Sequence, residues 1–180
     1  GIPDGVVNRA PLDEGSGTSF ADVVGNASGS LDNGGTWTTD TAFEGNTAPT
    51  FEQSNSESGS WNPRATAPVT YTMRVRADAD GLQTTDSSNH IFHFDANPRV
   101  LYNTNSKQWI VGDADGSTAA ISESQSALEG SIRIVAFRLD SQSCDMDIYE
   151  SDGSTKVGAS SISSPSTSYD SATMTLCALS

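Results

Sequence analysis

Asp145, Asp147 and Glu150 form the run whose types and spacing come nearest to catalytic chemistry. Acids at alternate strand positions fall on one face, and a bulge can bring a third round to join them. Two carboxyls about 5 Å apart would suit nucleophile and acid/base roles in glycoside hydrolysis. Two features weigh against that chemistry. The first acid is Asp, one methylene short of Glu, and the run ends in an Asp152-Gly153 turn. With 23 acids in the chain, such spacings also arise by chance. The expectation is a chain with no catalytic residue.

Oxygen ligands for a hard cation are the next candidates. Asp78 and Asp80, then Asp113 and Asp115, each precede a glycine in an Asp-Ala-Asp-Gly turn that could hold Ca²⁺. Neither completes an EF-hand loop: counted from Asp113, position six is Thr118 and position twelve is Ser124. Asp22 and Asn26 form a third pair. The competing explanation is that Asp-Gly simply makes turns. No cofactor is required, and Ca²⁺ is the cation these positions would take. His90 and His93 are three apart in a strand and on strict alternation face opposite ways, so they form no site by spacing. Cys144 and Cys177 could be a disulfide or two buried thiols. Asn26-Ala27-Ser28 is a glycosylation sequon.

Binding residues are sought in the polar segments. Trp61 lies in a Ser/Asn/Pro-rich stretch, residues 52–66, read as a surface loop. There it could stack on a sugar or anchor a partner, or cover one end of the fold. Arg64 beside it could grip carboxylates in bidentate fashion. Residues 1–9 read as an N-terminal arm. Ile2, Val6 and Val7 supply apolar contacts to a scaffold and Pro3 favours an extended start, unless the segment is the domain's own first strand.

The charge excludes several partners. Asp and Glu number 23 and Lys and Arg 9, a formal charge of −14. Such a chain repels nucleic-acid phosphate and anionic lipid, and no apolar run is long enough for a membrane-spanning helix. Sixteen of the acids are Asp, only two of the cations are Lys, and 46 residues are Ser or Thr. Short carboxylates and little Lys suit a surface that stays hydrated in high salt, as in extreme halophiles. An ordinary acidic secreted domain is the alternative. The start, Gly-Ile-Pro-Asp-Gly, has neither a basic nor an apolar signal region. The expectation is a small protein made without an export signal, a combination that suits a virion component.

The elements that would position these residues are strands. Val69, Tyr71, Met73 and Val75 alternate with polar residues, as a half-buried strand does. Further strands are expected at 91–95, at 100–102 and 108–111 as a hairpin, and at 118–122, 131–139, 144–150 and 156–160, with a last one around Met174 and Leu176. Residues 131–139 read as apolar on both faces, hence covered on both sides. Cys144, Met146 and Ile148 share one face. Trp37 and Trp109 read as core. Only residues 124–130 could hold a helical turn. Short strands with frequent turn signals and no linker indicate one all-β domain over 1–180, a sandwich or jelly roll.

One family resemblance sharpens this. PLDEGSGT at 11–18, then ADVVGN at 21–26 and Gly29-Ser30-Leu31 leading to Trp37, resembles the opening of laminin-G-like, concanavalin A-like jelly rolls. The strand pair and hairpin of residues 131–153 resemble the family's late segment. The family's aromatic-Asp-Gly strand after the Trp is replaced by Thr50-Phe51-Glu52-Gln53. The resemblance implies two antiparallel sheets and glycan or protein binding, in some relatives with Ca²⁺ near the opening loop. The functional expectation is a non-enzymatic virion surface protein of a halophilic virus, a capsid turret, decoration or tail module. Its partners would be itself or other virion proteins, and host glycans. A secreted or cell-surface carbohydrate-binding module is the first alternative and a glycoside hydrolase the second.

Overall fold

The computed structural model describes residues 5–6, 8–25, 27–51, 55–63, 68–77, 88–94, 98–113, 116–140, 142–163 and 173–176, with backbone alone at Ser88 and His90. The chain is all-β, with antiparallel strand pairs throughout its sheets. Five short strands come first: β1 (Ser19–Ala21), β2 (Ser28–Asp32), β3 (Thr36–Thr39), β4 (Thr47–Thr50) and β5 (Ser58–Trp61). Longer ones follow: β6 (Val69–Arg76), β7 (Ser88–Phe94), β8 (Arg99–Asn103), β9 (Gln108–Gly112) and β10 (Thr118–Ser122). After one helical turn, α1 (Gln125–Leu128), come β11 (Ile132–Leu139), β12 (Ser143–Glu150), β13 (Lys156–Ser163) and β14 (Met174–Leu176).

A large sheet runs β1-β2-β5-β14-β7-β8-β9-β10, a small sheet runs β13-β12-β11-β6, and β3-β4 is a separate hairpin. Strand alternation supplies one apolar face to each sheet, and the two faces share a core. From the small sheet come Tyr71, Val135, Phe137, Leu139, Cys144, Met146 and Ile148; from the large one Phe92, Phe94, Val100, Tyr102, Trp109 and Met174. Rings meet across the gap: Phe92 stacks on Phe137 with centroids 6.1 Å apart, and Tyr71 lies 5.6 Å from Phe94.

Three local expectations change. The segment 131–139 is not covered on both sides: Val135, Phe137 and Leu139 are buried, whereas Ile132, Ile134 and Ala136 stay partly exposed and Arg138 is exposed. The inward face also includes a charge, Arg133. In β7 the pairing register shifts between His90 and Phe92, which inserts one residue. Strict alternation therefore breaks there, and the inference that His90 and His93 face opposite ways loses its basis. Trp109 is in the core as expected, but Trp37 is only partly buried, its indole donating to the Gly17 carbonyl at 2.8 Å.

Two glycines allow backbone to come close. A Cβ on Gly29 would fall 2.0 Å from the Phe20 ring, and one on Gly158 would fall 2.4 Å from Ile121 Cγ2. The second contact joins β13, at the rim of the small sheet, to β10, at the rim of the large one. Overpacking of this kind costs about 1–3 kcal/mol. Gly158→Ala is therefore expected to lower unfolding stability by that order in a denaturant titration. Ile121→Ala introduced into the Gly158→Ala protein should recover part of the loss, a coupling that independent sites would not show.

Candidate functional site

The acidic strand is the first place to test for chemistry. Asp145 and Asp147 lie on the outer face of the small sheet, and Glu150 follows strand parity to the inner side, opposite Arg133. The bulge that could have brought the acids together is in β13: Ile148 pairs with Gly158 and Tyr149 with Lys156, leaving Val157 as the extra residue. Each acid is already engaged. Asp145 accepts from Arg138, Ser143 and Ser161. Asp147 accepts from Lys156 at 2.9 Å, and Glu150 from Arg133 at 3.0 Å. Burial pushes the Asp145 pKa up, but the hydrogen bonds from Ser161, Arg138 and Ser143 outweigh it and hold the carboxyl below its ordinary value. Held below its ordinary value, Asp145 keeps no proton for transfer near neutral pH.

Beneath this strand lies a buried polar network. Arg133 and Glu123 side chains are 4% and 6% exposed. Arg133 donates through Nε and Nη2 to Glu123 Oε1, through Nη2 to the Ala127 carbonyl, and through Nη1 to the Ile132 carbonyl and Glu150. Trp109 Nε1 donates to Glu123 Oε2 at 2.6 Å, and the Tyr102 hydroxyl to the Glu123 carbonyl at 2.8 Å. Burial, then the charges of Glu123 and Glu129, push the Tyr102 phenol pKa up. All the donors of Arg133 are taken, by partners on β11, β12 and the segment after β10, so the network ties these elements together.

Of the cation candidates, Asn26, Asp78, Asp80 and Asp115 lie outside the described residues. Asp113 is buried in the β9–β10 turn, where its amide bonds to the Ser117 carbonyl and its carbonyl accepts from Gly116. Asp22 is also buried. Its Oδ1 accepts from the amides of Arg9, Val24 and Gly25 at 2.7–2.9 Å, which folds the opening loop as an Asx turn does. Its Oδ2 has no hydrogen-bond partner among the described residues. Asp22, Glu14, Ser19 and Ser28 line an open depression there, but Glu14 is occupied by the Ala21 amide at 2.8 Å. No three acid, His or Cys side chains converge on a metal position among the described residues.

The binding candidates divide similarly. Arg64, Ile2 and Val7 lie outside the described residues. Val6 is partly buried, and the arm meets the domain at Arg9, whose carbonyl accepts from the Val23 amide at 2.8 Å and whose guanidinium pairs with Glu44. Trp61 is not in a loop. It ends β5 opposite Gly29 and Met174, packs partly buried against the core, and its indole nitrogen has no hydrogen-bond partner among the described residues. Cys144 is buried in β12, and Cys177 lies outside the described residues.

The cross-strand registers assemble a group that spacing could not reveal. On the outer face of the large sheet, Ser19, Ser30, Ser60, Thr175, His93, Arg99, Gly112 and Thr118 stand opposite one another in turn across all eight strands. Ser30 and Ser60 donate to Asp32. Arg99 is half-buried, and its Nε has no hydrogen-bond partner among the described residues. His93, Arg99 and Gly112 belong to β7, β8 and β9 and are up to nineteen positions apart, so only a register could place them together.

Two measurements follow from these contacts. Removing one partner of a buried ion pair costs about 3–5 kcal/mol. Arg133→Ala is expected to destabilise by that order in chemical denaturation, whereas replacing Arg133 and Glu123 together by Met and Leu should cost much less. For Asp145, a folded pKa below the unfolded value means that its contribution is present above the unfolded carboxylate range. It is lost as pH falls through the folded pKa. Asp145→Asn should therefore lower stability at neutral pH and shrink the acid-side loss of stability, read from denaturation midpoints between neutrality and acid.

Comparison with protein-family models, with curated proteins and with solved structures finds no match for this chain.

Proposed function

We propose that this chain is a non-enzymatic attachment domain: a surface component of a halophilic virus particle, as a capsid turret, decoration or tail module, exposed to the outside and carrying a host-glycan contact. In finer terms the sandwich-like architecture would be a jelly roll of the laminin-G-like, concanavalin A-like type. Its partners are further copies of itself or neighbouring particle proteins.

The observation that carries this reading is the state of the acidic strand. Asp145, Asp147 and Glu150 are divided between two faces of the sheet and tied to Arg138, Lys156 and Arg133. A glycosidase needs two such groups facing one bond, one of them protonated. What remains is a two-sheet body with a formal charge of −14, a surface that stays hydrated when salt screens it. Ca²⁺ is not needed to hold the body together on this reading. The opening loop at Asp22 is where it would bind.

Mass spectrometry of purified particles tests the assignment. The protein should be a stoichiometric component of them, and its absence would refute the virion role in favour of a secreted or cell-surface module. In solution, the melting temperature should rise from low to molar salt as screening relieves self-repulsion, and a flat or falling curve counts against the halophile reading. Incubation with β-glucans should release no reducing ends. Release that is abolished by Asp145→Asn or Glu150→Gln would make the chain an enzyme.

A further inference from the structure

Strand β11 is apolar on both faces, yet only one of them is covered. Val135, Phe137 and Leu139 fill the core, whereas Ile132, Ile134 and Ala136 keep part of their surface in water on the outside. A strand of that composition is ordinarily covered on both sides. On β12, Tyr149 stands opposite Ile134 and is also partly exposed, and on β13 the exposed Ala159 stands opposite Asp147. An apolar strip therefore runs along the middle of the small sheet's outer face.

Around that strip every acid of the face is matched. Asp145 pairs with Arg138, Asp147 with Lys156, and Asp40, which reaches the margin, with Arg76. Arg74, exposed on β6, has no ion pair among the described residues. Four cations thus meet three acids here, in a chain whose formal charge is −14. A basic partner would find its complement on the rest of so acidic a molecule. A face whose acids are matched is needed where the partner is equally acidic, because a carboxylate buried against another acid is costly. Molar salt screens long-range repulsion but does not remove that cost.

We propose that the outer face of the small sheet is where a second copy of this chain docks, face to face about a twofold axis. Such a contact uses the same patch on both copies and closes at a dimer. The apolar strip would form its centre and the matched charges its margin, the arrangement usual in interfaces. The face consists of four strands of eight residues, roughly 26 Å by 19 Å at the usual strand rise and spacing. Two such faces would bury about 1,000 Å² in all, the lower limit for a specific interface. The dimer is therefore one that forms as concentration rises and not a permanent one. It gives the attachment role proposed above a partner, and rests on that reading for its purpose.

The test is sedimentation velocity of the whole chain in molar KCl, from micromolar to millimolar concentration. The native protein should pass from monomer to dimer and stop there. Ile134→Asp and, separately, Ala159→Glu should each weaken dimerisation at least about tenfold, the scale of one buried polar group left unpaired. Ala159 is exposed in the single chain, so its variant should keep the native melting temperature even if Ile134→Asp fails to fold. Val23→Asp, at the exposed valine of the opening loop, should leave the dimer unchanged. A chain that stays monomeric, or a dimer that survives Ala159→Glu, overturns the inference. So does association that is lost on Val23→Asp or that continues beyond the dimer. A monomer would leave the face to a different particle protein, and the particle assignment would stand, because that is read from particle composition.

Discussion

Arg133 and Glu123 lie almost wholly out of water between the two sheets, and the cost of placing them there constrains their neighbours. A buried guanidinium and carboxylate are tolerable only if their mutual attraction is supplemented by hydrogen bonds to every remaining donor and acceptor. That condition is met by particular partners. Glu123 takes the Trp109 indole and the Arg133 fork, its carbonyl takes the Tyr102 hydroxyl, and Arg133 spends its other donors on the carbonyls of Ile132 and Ala127 and on Glu150. The partners come from β8, β9, the turn after β10, β11 and β12. Both sheets and the helical turn are therefore fixed relative to one charged pair. Hydrophobic burial has no direction, but this network does, and it sets which face of β9 and β11 must turn inward.

The distribution of the remaining cations is equally uneven. Arg74, Arg76, Arg138 and Lys156, four of the nine, stand on or at the rim of the outer face of the small sheet. Three of them pair with Asp40, Asp145 and Asp147. Lys156 also lies 5.3 Å from the Tyr149 ring centre and Arg76 5.9 Å from that of Phe43. That face is close to electroneutral, so the excess negative charge falls on the rest of the molecule. The outer face of the large sheet holds fewer charges among the described residues, and none of those residues pairs an acid with Arg99.

The later strands are legible in the sequence because each is long enough to show its period. Val69 to Val75 and Cys144 to Ile148 alternate as half-buried strands must, and their buried faces follow. The first sixty residues are harder. Strands β1 to β5 are three to five residues long and built largely from Ser, Gly and Thr, so they offer little period to read. Trp61 looked like a loop residue for the same reason: its neighbours are polar, and what makes it a strand residue is its pairing with Gly29 and Met174. Arg133 stands among apolar residues with its partner ten positions away, and charge alone does not say which way it faces. The Arg99 group depends on three registers at once, and a bulge in β7 shows how easily one inserted residue upsets such counting.

The close approach of Gly158 to Ile121 gives the molecule a seam. Along it the rim of the small sheet lies against the rim of the large one, with a glycine where any side chain would hold them apart. The opposite rims, β1 and β6, have no such stitch among the described residues, although Asp40 and Phe43 reach one end of β6 through Arg76. On the β6 side the sheets are held by side chains instead, Tyr71 packing on Phe92 and Phe94, with Ala77 accepting from the Gly130 amide at 2.7 Å. A body whose backbones come close at one rim and whose side chains fill the rest opens least along that rim, so amide exchange is expected to be slowest beside β10 and β13.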